Sequence, residues 1–212
     1  MASHSRSQSE VRDRGDSGRE RIGAAAYELF SREGTLSVGV DTVIAKAGTA
    51  KMTLYRNFSS KDELILDFLQ RREQIWTREW LQAQAEQRGR TPQERLLAIF
   101  DVFGEWFRDV DFDGCAFLTT MIEVKDPASP VRQASVEHLA NIRRFIATHA
   151  AEAGIKDADA FARQWHILMK GSIMAAHEGD LQAAERAREL GVLLLKSHGV
   201  EVGRTRRAAR RR

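Results

Sequence analysis

The chain has 212 residues, enough for one ordinary domain or for a small domain joined to a larger one. Apolar residues at 42%, charged residues at 30% and only three prolines leave long stretches available for helix, so we predict an all-α fold. No apolar run approaches the roughly 18 residues that a membrane span requires, and a single cysteine excludes an intramolecular disulfide, so we expect a cytoplasmic protein without membrane association. The net charge of +3 permits nucleic-acid binding but does not predict it.

Both ends of the chain are predicted to lie outside the folded core. Residues 1–18 are rich in serine, arginine and aspartate and have almost no apolar side chain, which is typical of a disordered arm. Residues 202–212 form a basic tail that contains six arginines and no acid. Each end either stays solvated or adds contacts to phosphate groups that do not depend on base sequence. The basic tail has a third possible role, which is to contact acidic surface on a partner.

Two short helices around a tight turn are predicted after a first helix over residues 19–34. The first short helix is apolar on one side and stops at Gly48, a residue suited to a left-handed helix end. Thr49 is positioned to cap the second short helix, in which Leu54 and Phe58 supply the buried side. This arrangement predicts a helix-turn-helix.

The run Thr49–Phe58, followed by Ser60–Leu64, resembles the signature of the TetR family of bacterial transcriptional regulators. The resemblance implies a three-helix helix-turn-helix DNA-binding domain at residues 19–63 and a larger C-terminal helical bundle at residues 64–201, with about nine helices in all. It also implies that residues 64–201 bind a small-molecule effector and form a homodimer. The expected partners are therefore a double-stranded DNA operator, an effector and a second copy of the chain.

Side-chain chemistry and the resemblance together predict the DNA contacts. Lys51 can reach a phosphate or a guanine edge, Thr53 a base edge or a thymine methyl group, and Tyr55 a phosphate through its hydroxyl. The resemblance adds phosphate contacts near the starts of the helices before and after the recognition helix. The predicted DNA-binding residues are Thr42, Thr49, Lys51, Thr53, Tyr55, Asn57 and Lys61.

Six further helices are predicted after the helix-turn-helix. The first begins where Ser59 or Ser60 forms a capping box with Glu63, and the second begins at Thr91 followed by Pro92. The predicted spans are residues 61–88, 92–110, 115–125, 129–153, 157–178 and 180–198. The last two spans mix large and small side chains, which allows close approach of helices, and the resemblance assigns them the dimer interface.

The strongly apolar helix over residues 92–110 and its neighbours are predicted to form an effector pocket, because aromatic side chains with few polar groups line small-molecule cavities. A plain hydrophobic core would use the same residues. Glu123 either orients a polar ligand or is a surface carboxylate, and Cys115 is either a sensor thiol or a packed side chain. The predicted pocket residues are Phe103, Trp106, Phe107, Phe117, Met121, Glu123, His138, Trp165 and Met169.

Motifs for catalysis are missing from the sequence, which has no Gly-rich phosphate loop, paired CxxC, HExxH or nucleophile-elbow serine. Its histidines are scattered without ligand spacing, so we expect no metal, no cofactor and no enzyme activity. The predicted function is a ligand-responsive repressor that binds a palindromic operator as a dimer and is released by its effector. The alternatives are an activator of the same fold, a small-molecule binding protein without specific DNA binding, and an enzyme that uses the helical cavity.

Overall fold

A computed structural model describes residues 17–203, which form nine helices and no strand. This confirms the all-α prediction. Most of the predicted arm and most of the predicted basic tail lie outside the described residues. The helices are α1 (Gly18–Glu33), α2 (Val40–Ala47), α3 (Lys51–Asn57), α4 (Lys61–Arg72 continuing through Glu73–Gln82 and Ala83–Arg88), α5 (Pro92–Trp106), α6 (Ala116–Glu123), α7 (Pro130–Glu152), α8 (Ala158–His177) and α9 (Ala183–Ser197).

Several helix ends follow from local side-chain chemistry. Gly48 ends α2 with a φ of 59°, in the left-handed region that favours glycine. The Ser60 hydroxyl accepts a hydrogen bond from the Glu63 amide and begins α4. Thr91 and Glu94 form a reciprocal capping box at the start of α5. These ends lie where the sequence predicted them.

Other predicted helix ends were wrong. Ala50, and not Thr49, is the N-cap of α3, and the Thr49 hydroxyl is buried without a hydrogen-bond partner in the described part of the chain. Helix α5 ends at Trp106, four residues before the predicted end, because the chain turns and Phe112 packs against the Trp106 ring at a centroid distance of 4.9 Å. Helices α6 and α9 are also shorter than predicted, since α6 covers Ala116–Glu123 and α9 begins at Ala183.

The middle of α4 has a feature that the sequence did not predict. Residues Glu73–Gln82 are π-helical, so α4 is wider there than an ordinary α-helix. The segment remains continuous with its flanks, since the backbone at Arg72 and Ala83 is α-helical. Trp76 and Trp80 project from this segment and pack against Trp106 of α5, with centroid distances of 4.8 and 6.3 Å.

The helices pack into two regions that α4 connects. Helices α1, α2 and α3 pack together, and α1 packs against the first part of α4. Ile22, Val43, Leu54 and Phe58 are completely buried in this region. In the second region α5 is central, packing against the end of α4, against α7 and against α9. Helix α8 packs between α7 and α9. None of the helices described here is long and apolar enough to cross a membrane.

Candidate DNA-binding and effector sites

Helix α3 is held on the protein by its apolar side. Leu54 and Phe58 have no exposed surface, and the Arg19 guanidinium of α1 lies 4.2 Å above the Phe58 ring. Arg19 also donates a 2.6 Å hydrogen bond to the Asn57 carbonyl at the end of α3. These contacts fix both the position and the rotation of the helix. Its opposite side is exposed to solvent and carries Lys51, Met52, Tyr55 and Arg56.

The predicted DNA-binding residues divide into exposed and inward-facing groups. Thr42, Lys51 and Tyr55 are exposed, and the Lys51 ammonium lies 3.3 Å from a carboxylate oxygen of Asp41. Thr53 is half-buried against the start of α1, so that a methyl group placed on Gly18 would lie 2.8 Å from its Cγ2 atom.

Two further predicted contacts at the edge of α3 face inward as well. The Asn57 side-chain amide donates a 2.8 Å hydrogen bond to the Thr53 carbonyl. Thr49 is half-buried just before the helix, and its hydroxyl is enclosed. The structure therefore brings Thr42, Lys51 and Tyr55 to the surface of the helix-turn-helix, encloses the Thr49 hydroxyl and bonds the Asn57 amide to the backbone of α3.

Lys61 lies where the two regions meet. Its ammonium donates a 3.4 Å hydrogen bond to the Leu36 carbonyl in the loop between α1 and α2. Burial lowers the pKa of Lys61, while the negative charges of Glu123 and Asp62 act in the opposite direction. The lysine is therefore half-buried at the start of α4 and contacts the backbone of the helix-turn-helix at Leu36.

Two exposed residues of α3 are not among the predicted DNA contacts. Met52 is 72% exposed, and Arg56 makes no hydrogen bond or ion pair with any residue between 17 and 203. They are four residues apart and share a face of the helix. The same periodicity that identified Leu54 and Phe58 as buried places Met52 and Arg56 on the outer side, so the signal was present in the sequence.

A group of charged residues ties α4 to α1. Arg71 of α4 donates two hydrogen bonds to the Glu20 carboxylate, at 2.6 and 2.9 Å, and a third to Asp67 at 2.6 Å. Asp67 in turn accepts a 3.2 Å hydrogen bond from Arg19. Because Arg19 also contacts the end of α3, this group connects α4 to the recognition helix.

Glu123 forms a second connection between the two regions. Its Oε2 atom accepts hydrogen bonds from the Thr35 amide (3.2 Å), the Thr35 hydroxyl (2.8 Å) and the Leu36 amide (3.3 Å). Thr35 is only 1% exposed. The carboxylate predicted to orient a ligand therefore faces the loop between α1 and α2. Its hydrogen-bond partners Leu36 and Thr35 lie 87 and 88 residues away along the chain, so the sequence analysis did not find this role.

Most of the predicted pocket residues pack into one buried apolar cluster. Phe103, Trp106 and Phe107 contact one another with centroid distances of 5.5 to 5.7 Å. Met121 is half-buried at the edge of the core. The fully or nearly fully buried members are Phe103, Trp106, Phe107, Phe117, Trp165 and Met169. A cluster of this kind is expected whether these residues line a pocket or form plain hydrophobic core. Their assignment to a pocket therefore stays a prediction.

His138 lies in a different environment, beside a polar cavity of about 710 Å³ between α4 and α7. Its ring stacks on Phe117 at 5.0 Å, and its Nδ1 atom contacts the buried carboxylate of Glu73. Glu73 also accepts hydrogen bonds from Asn141 at 2.7 Å and from Arg78 at 2.8 Å. Burial raises the pKa of Glu73, but these hydrogen bonds outweigh it and hold the pKa below its ordinary value. The charged Glu73 carboxylate therefore connects α4 to α7 through its contacts with His138 and Asn141.

Cys115 is buried immediately before α6. Burial raises the pKa of its thiol, and hydrogen bonds from the backbone of Leu118 and Phe117 oppose this only in part. A reactive cysteine needs a depressed pKa and access to solvent. The environment of Cys115 thus favours a packed side chain. In residues 17–203 no three His, Cys, Asp or Glu side chains are grouped so that they could hold a metal ion.

The two final helices present apolar side chains to solvent. Ile167 and Met174 of α8 and Leu190 and Leu193 of α9 are all more than half exposed. Some of the small residues predicted for a dimer interface serve packing within the chain instead. A methyl group on Gly191 would lie 2.9 Å from the Trp165 ring, so this glycine permits close approach of α9 to α8.

Comparisons with known proteins agree with this architecture. The family model described as bacterial regulatory proteins, tetR family, matches residues 22–68, and the model described as tetracyclin repressor-like, C-terminal domain, matches residues 92–190. The HTH-type transcriptional regulator YjdC of Escherichia coli (strain K12) is 19% identical over 178 residues, which cover 81% of this chain and 91% of the relative.

Solved structures of two Streptomyces proteins are similar over most of their length. A TetR-family transcriptional regulator from Streptomyces coelicolor is 30% identical with a TM-score of 0.77, covering 85% of this chain and 95% of that protein. A TetR transcriptional regulator from Streptomyces avermitilis is 30% identical with a TM-score of 0.78, covering 88% of this chain and 100% of that protein. The chain therefore belongs to the TetR family of transcriptional regulators, with a helix-turn-helix DNA-binding domain followed by a ligand-binding domain.

Proposed function

We propose that the protein is a ligand-responsive repressor that binds a palindromic operator as a homodimer and leaves DNA when a small-molecule effector binds. The observation that carries this proposal is the two-sided character of α3. Its apolar side is completely buried at Leu54 and Phe58, while its other side leaves Lys51, Tyr55 and Arg56 exposed. A helix fixed in this way can enter the major groove with its polar side chains toward the DNA.

The proposed phosphate contacts surround this helix. Thr42 of α2 and Tyr55 of α3 supply exposed hydroxyl groups, and Lys51 supplies an exposed ammonium. Lys61 adds positive charge at the start of α4. Contacts to phosphates position a protein on DNA without selecting a sequence. Thr49 and Asn57 keep their predicted contacts only if their side chains turn outward on the operator.

The exposed apolar residues of α8 and α9 support a homodimer. Ile167 and Met174 are seven residues apart, and Leu190 and Leu193 are three apart, so each pair lies on one face of its helix. Burying such faces against a second copy removes apolar surface from water. A two-fold dimer would also present two recognition helices to two half-sites, which requires a separation of about 34–36 Å.

Release from DNA follows if the effector prefers a conformation with a different separation of the recognition helices. A ligand that binds one conformation more tightly shifts the population toward it. The routes for this coupling are the contacts that cross between the regions, namely Arg71 with Glu20 and Glu123 with Thr35. Movement of α4 or of α6 in the ligand-binding domain would reach the helix-turn-helix through them.

A DNA-binding titration tests the proposal. Purified protein is titrated against a fluorescent duplex from upstream of its own gene, at several salt concentrations, with a scrambled duplex as competitor. Specific binding that weakens steeply with salt is expected. If the protein binds that duplex no more tightly than the scrambled one, the next step is selection from random duplex DNA. Failure of selection to enrich any sequence would overturn the proposed function.

The oligomeric state needs its own measurement. The double variant Met174→Glu with Leu193→Glu places charge on the exposed face of α8 and α9, and we expect a monomer by sedimentation together with loss of operator binding. The control variant Val110→Glu changes an apolar side chain that is 96% exposed elsewhere. A dimer that persists in the double variant would place the interface on another surface.

A further inference from the structure

The exposed side of α3 carries two rows of side chains. Residues four apart on a helix lie one above the other. Lys51 and Tyr55 form one row and Met52 and Arg56 the other, and all four are exposed. The first row has groups that suit phosphates, an ammonium and a phenol hydroxyl. The second row combines an apolar thioether side chain with a planar guanidinium, so its chemistry differs from that of the first row.

Thr53 and Asn57, the other polar residues of α3, are less exposed than these two rows. The Asn57 amide is bonded to the Thr53 carbonyl, and the Thr53 methyl group lies against Gly18 of α1. Lys51 is held near Asp41, its neighbour in α2. Arg56 has no hydrogen bond or ion pair in the part of the chain that the structure describes, and Met52 is 72% exposed, the highest value among the large apolar side chains of the helix-turn-helix.

Base edges in the major groove offer matching partners for the second row. The thymine C5-methyl group is the apolar feature of that groove, and an arginine can donate two hydrogen bonds to the O6 and N7 atoms of guanine. Four residues of helix rise roughly 6 Å. This distance corresponds to about two base-pair steps of roughly 3.4 Å each.

We propose that Met52 and Arg56 select the operator sequence, with Met52 contacting a thymine methyl group and Arg56 a guanine edge within about two base pairs of it. The inference rests on the proposed DNA-binding function and adds to it the base identities that α3 reads. Lys51 and Tyr55 then position the helix, while Met52 and Arg56 discriminate between sequences.

The experiment begins with selection of an operator by the wild-type protein from random duplex DNA. Each thymine of one half-site is then replaced in turn by deoxyuridine, which removes only the methyl group. One replacement should weaken wild-type binding about fourfold, as expected for removing one apolar carbon from contact. Met52→Gln, which keeps a similar length and helix propensity, should bind the thymine and deoxyuridine duplexes equally.

The guanine contact is tested in parallel. Changing the guanine–cytosine pair near the sensitive thymine to adenine–thymine should weaken wild-type binding at least about fivefold, the lower limit for a bidentate contact. Arg56→Lys keeps the positive charge but loses the planar pair of donors, so it should discriminate much less. Thermal melting of both variants checks that they remain folded.

The outcomes separate this inference from the proposed function. An enriched operator that wild-type protein binds equally well with deoxyuridine at every position would overturn the role of Met52 and leave the repressor proposal standing. Unchanged discrimination at every guanine by Arg56→Lys would overturn the role of Arg56. If selection enriches no sequence, the proposed function fails and the inference fails with it.

Discussion

The helix-turn-helix and the ligand-binding domain differ in where they keep their polar groups. Among the described residues before α4, Thr35 is the one polar residue that is buried as a whole, and its bonding partner Glu123 belongs to α6. Ser31 and Thr49 are only half-buried, with their hydroxyl groups enclosed. The rest of the chain encloses several polar residues of its own. These are Glu73, Thr77, Thr120, Ser135, His149, His166 and Ser172.

This difference reflects two physical demands. A small unit that must present polar groups to DNA can use a largely apolar core, since most of its polar side chains are needed outside. A buried polar group is costly unless it is bonded, so a domain that encloses many of them is sensitive to changes in their partners. The ligand-binding domain is therefore the region whose stability a ligand or a proton can change. The following predictions test this difference between the two regions.

The largest expected effect is in the apolar core of the helix-turn-helix. Phe58→Ala removes a completely buried ring and should lower the free energy of unfolding by about 3–5 kcal/mol. Urea unfolding followed by far-UV circular dichroism measures the change. Val110→Ala, at a side chain that is 96% exposed, should stay within about 0.5 kcal/mol of the wild type. Equal losses for the two variants would contradict the assigned core.

The contact that crosses between the regions should rank second. Glu123→Ala leaves the amide and hydroxyl of the buried Thr35 without their acceptor, which should cost about 2–3 kcal/mol of unfolding free energy. Glu123→Gln keeps one acceptor oxygen and should lose clearly less. If the alanine variant is as stable as the wild type by urea unfolding, the loop between α1 and α2 does not depend on this carboxylate.

Protonation of His166 should affect the ligand-binding domain alone. Burial, assisted by the positive charges of Lys170 and Arg143, lowers the pKa of His166 from 6.5 to about 3. The unfolded chain therefore binds a proton at this residue below pH 6.5 that the folded chain does not. The contribution to stability is complete above pH 6.5 and decreases toward pH 3, by up to about 1.4 kcal/mol per pH unit.

Urea unfolding at pH 7, 6 and 5 tests this dependence. His166→Gln should reduce the loss of stability between pH 7 and 5, because glutamine does not titrate. His198, an exposed histidine after α9, provides the matched substitution His198→Gln, which should leave the pH dependence close to that of the wild type. Identical pH profiles for the wild type and His166→Gln would exclude the buried neutral imidazole as the cause.

The smallest effects are expected on the DNA-binding surface, where stability should not change. Tyr55→Phe removes one hydroxyl from a side chain that is 44% exposed, so operator affinity should fall about fivefold, the value of one hydrogen bond. Lys51→Ala should reduce the salt dependence of binding by about one phosphate contact. Sedimentation checks that both variants keep the oligomeric state of the wild type. Unchanged affinity and salt dependence in both would remove these contact assignments.

Local features of the fold could be predicted from the sequence, and distant partners could not. The ends at Gly48, Ser60 and Thr91 follow from residues within one helical turn, and they lie as predicted. The early end of α5 depends on the packing of Phe112 on Trp106. Helical periodicity in the sequence does not predict such a contact. The π-helical segment Glu73–Gln82 likewise carries no pattern that separates it from an α-helix.

The candidate sites divide in the same way. Thr42, Lys51 and Tyr55 were predicted from a motif whose spacing fixes which side of α3 faces outward. Glu123 and His138 were predicted to contact a ligand as an acid that orients it and an imidazole that hydrogen-bonds it. Their main contacts in the structure are Thr35 and Glu73, which lie far away along the chain. Such pairs depend on how helices pack, and a single sequence gives no direct information on that packing.

The position of the tryptophans has a practical consequence for spectroscopy. All four tryptophans of the chain, Trp76, Trp80, Trp106 and Trp165, lie after the first segment of α4, and three of them form one cluster around the π-helical segment. The helix-turn-helix has tyrosine but no tryptophan. Intrinsic tryptophan emission therefore reports on the ligand-binding domain alone. A change of that emission when unlabelled operator is added would be an optical record of coupling from the DNA-binding surface to the other region.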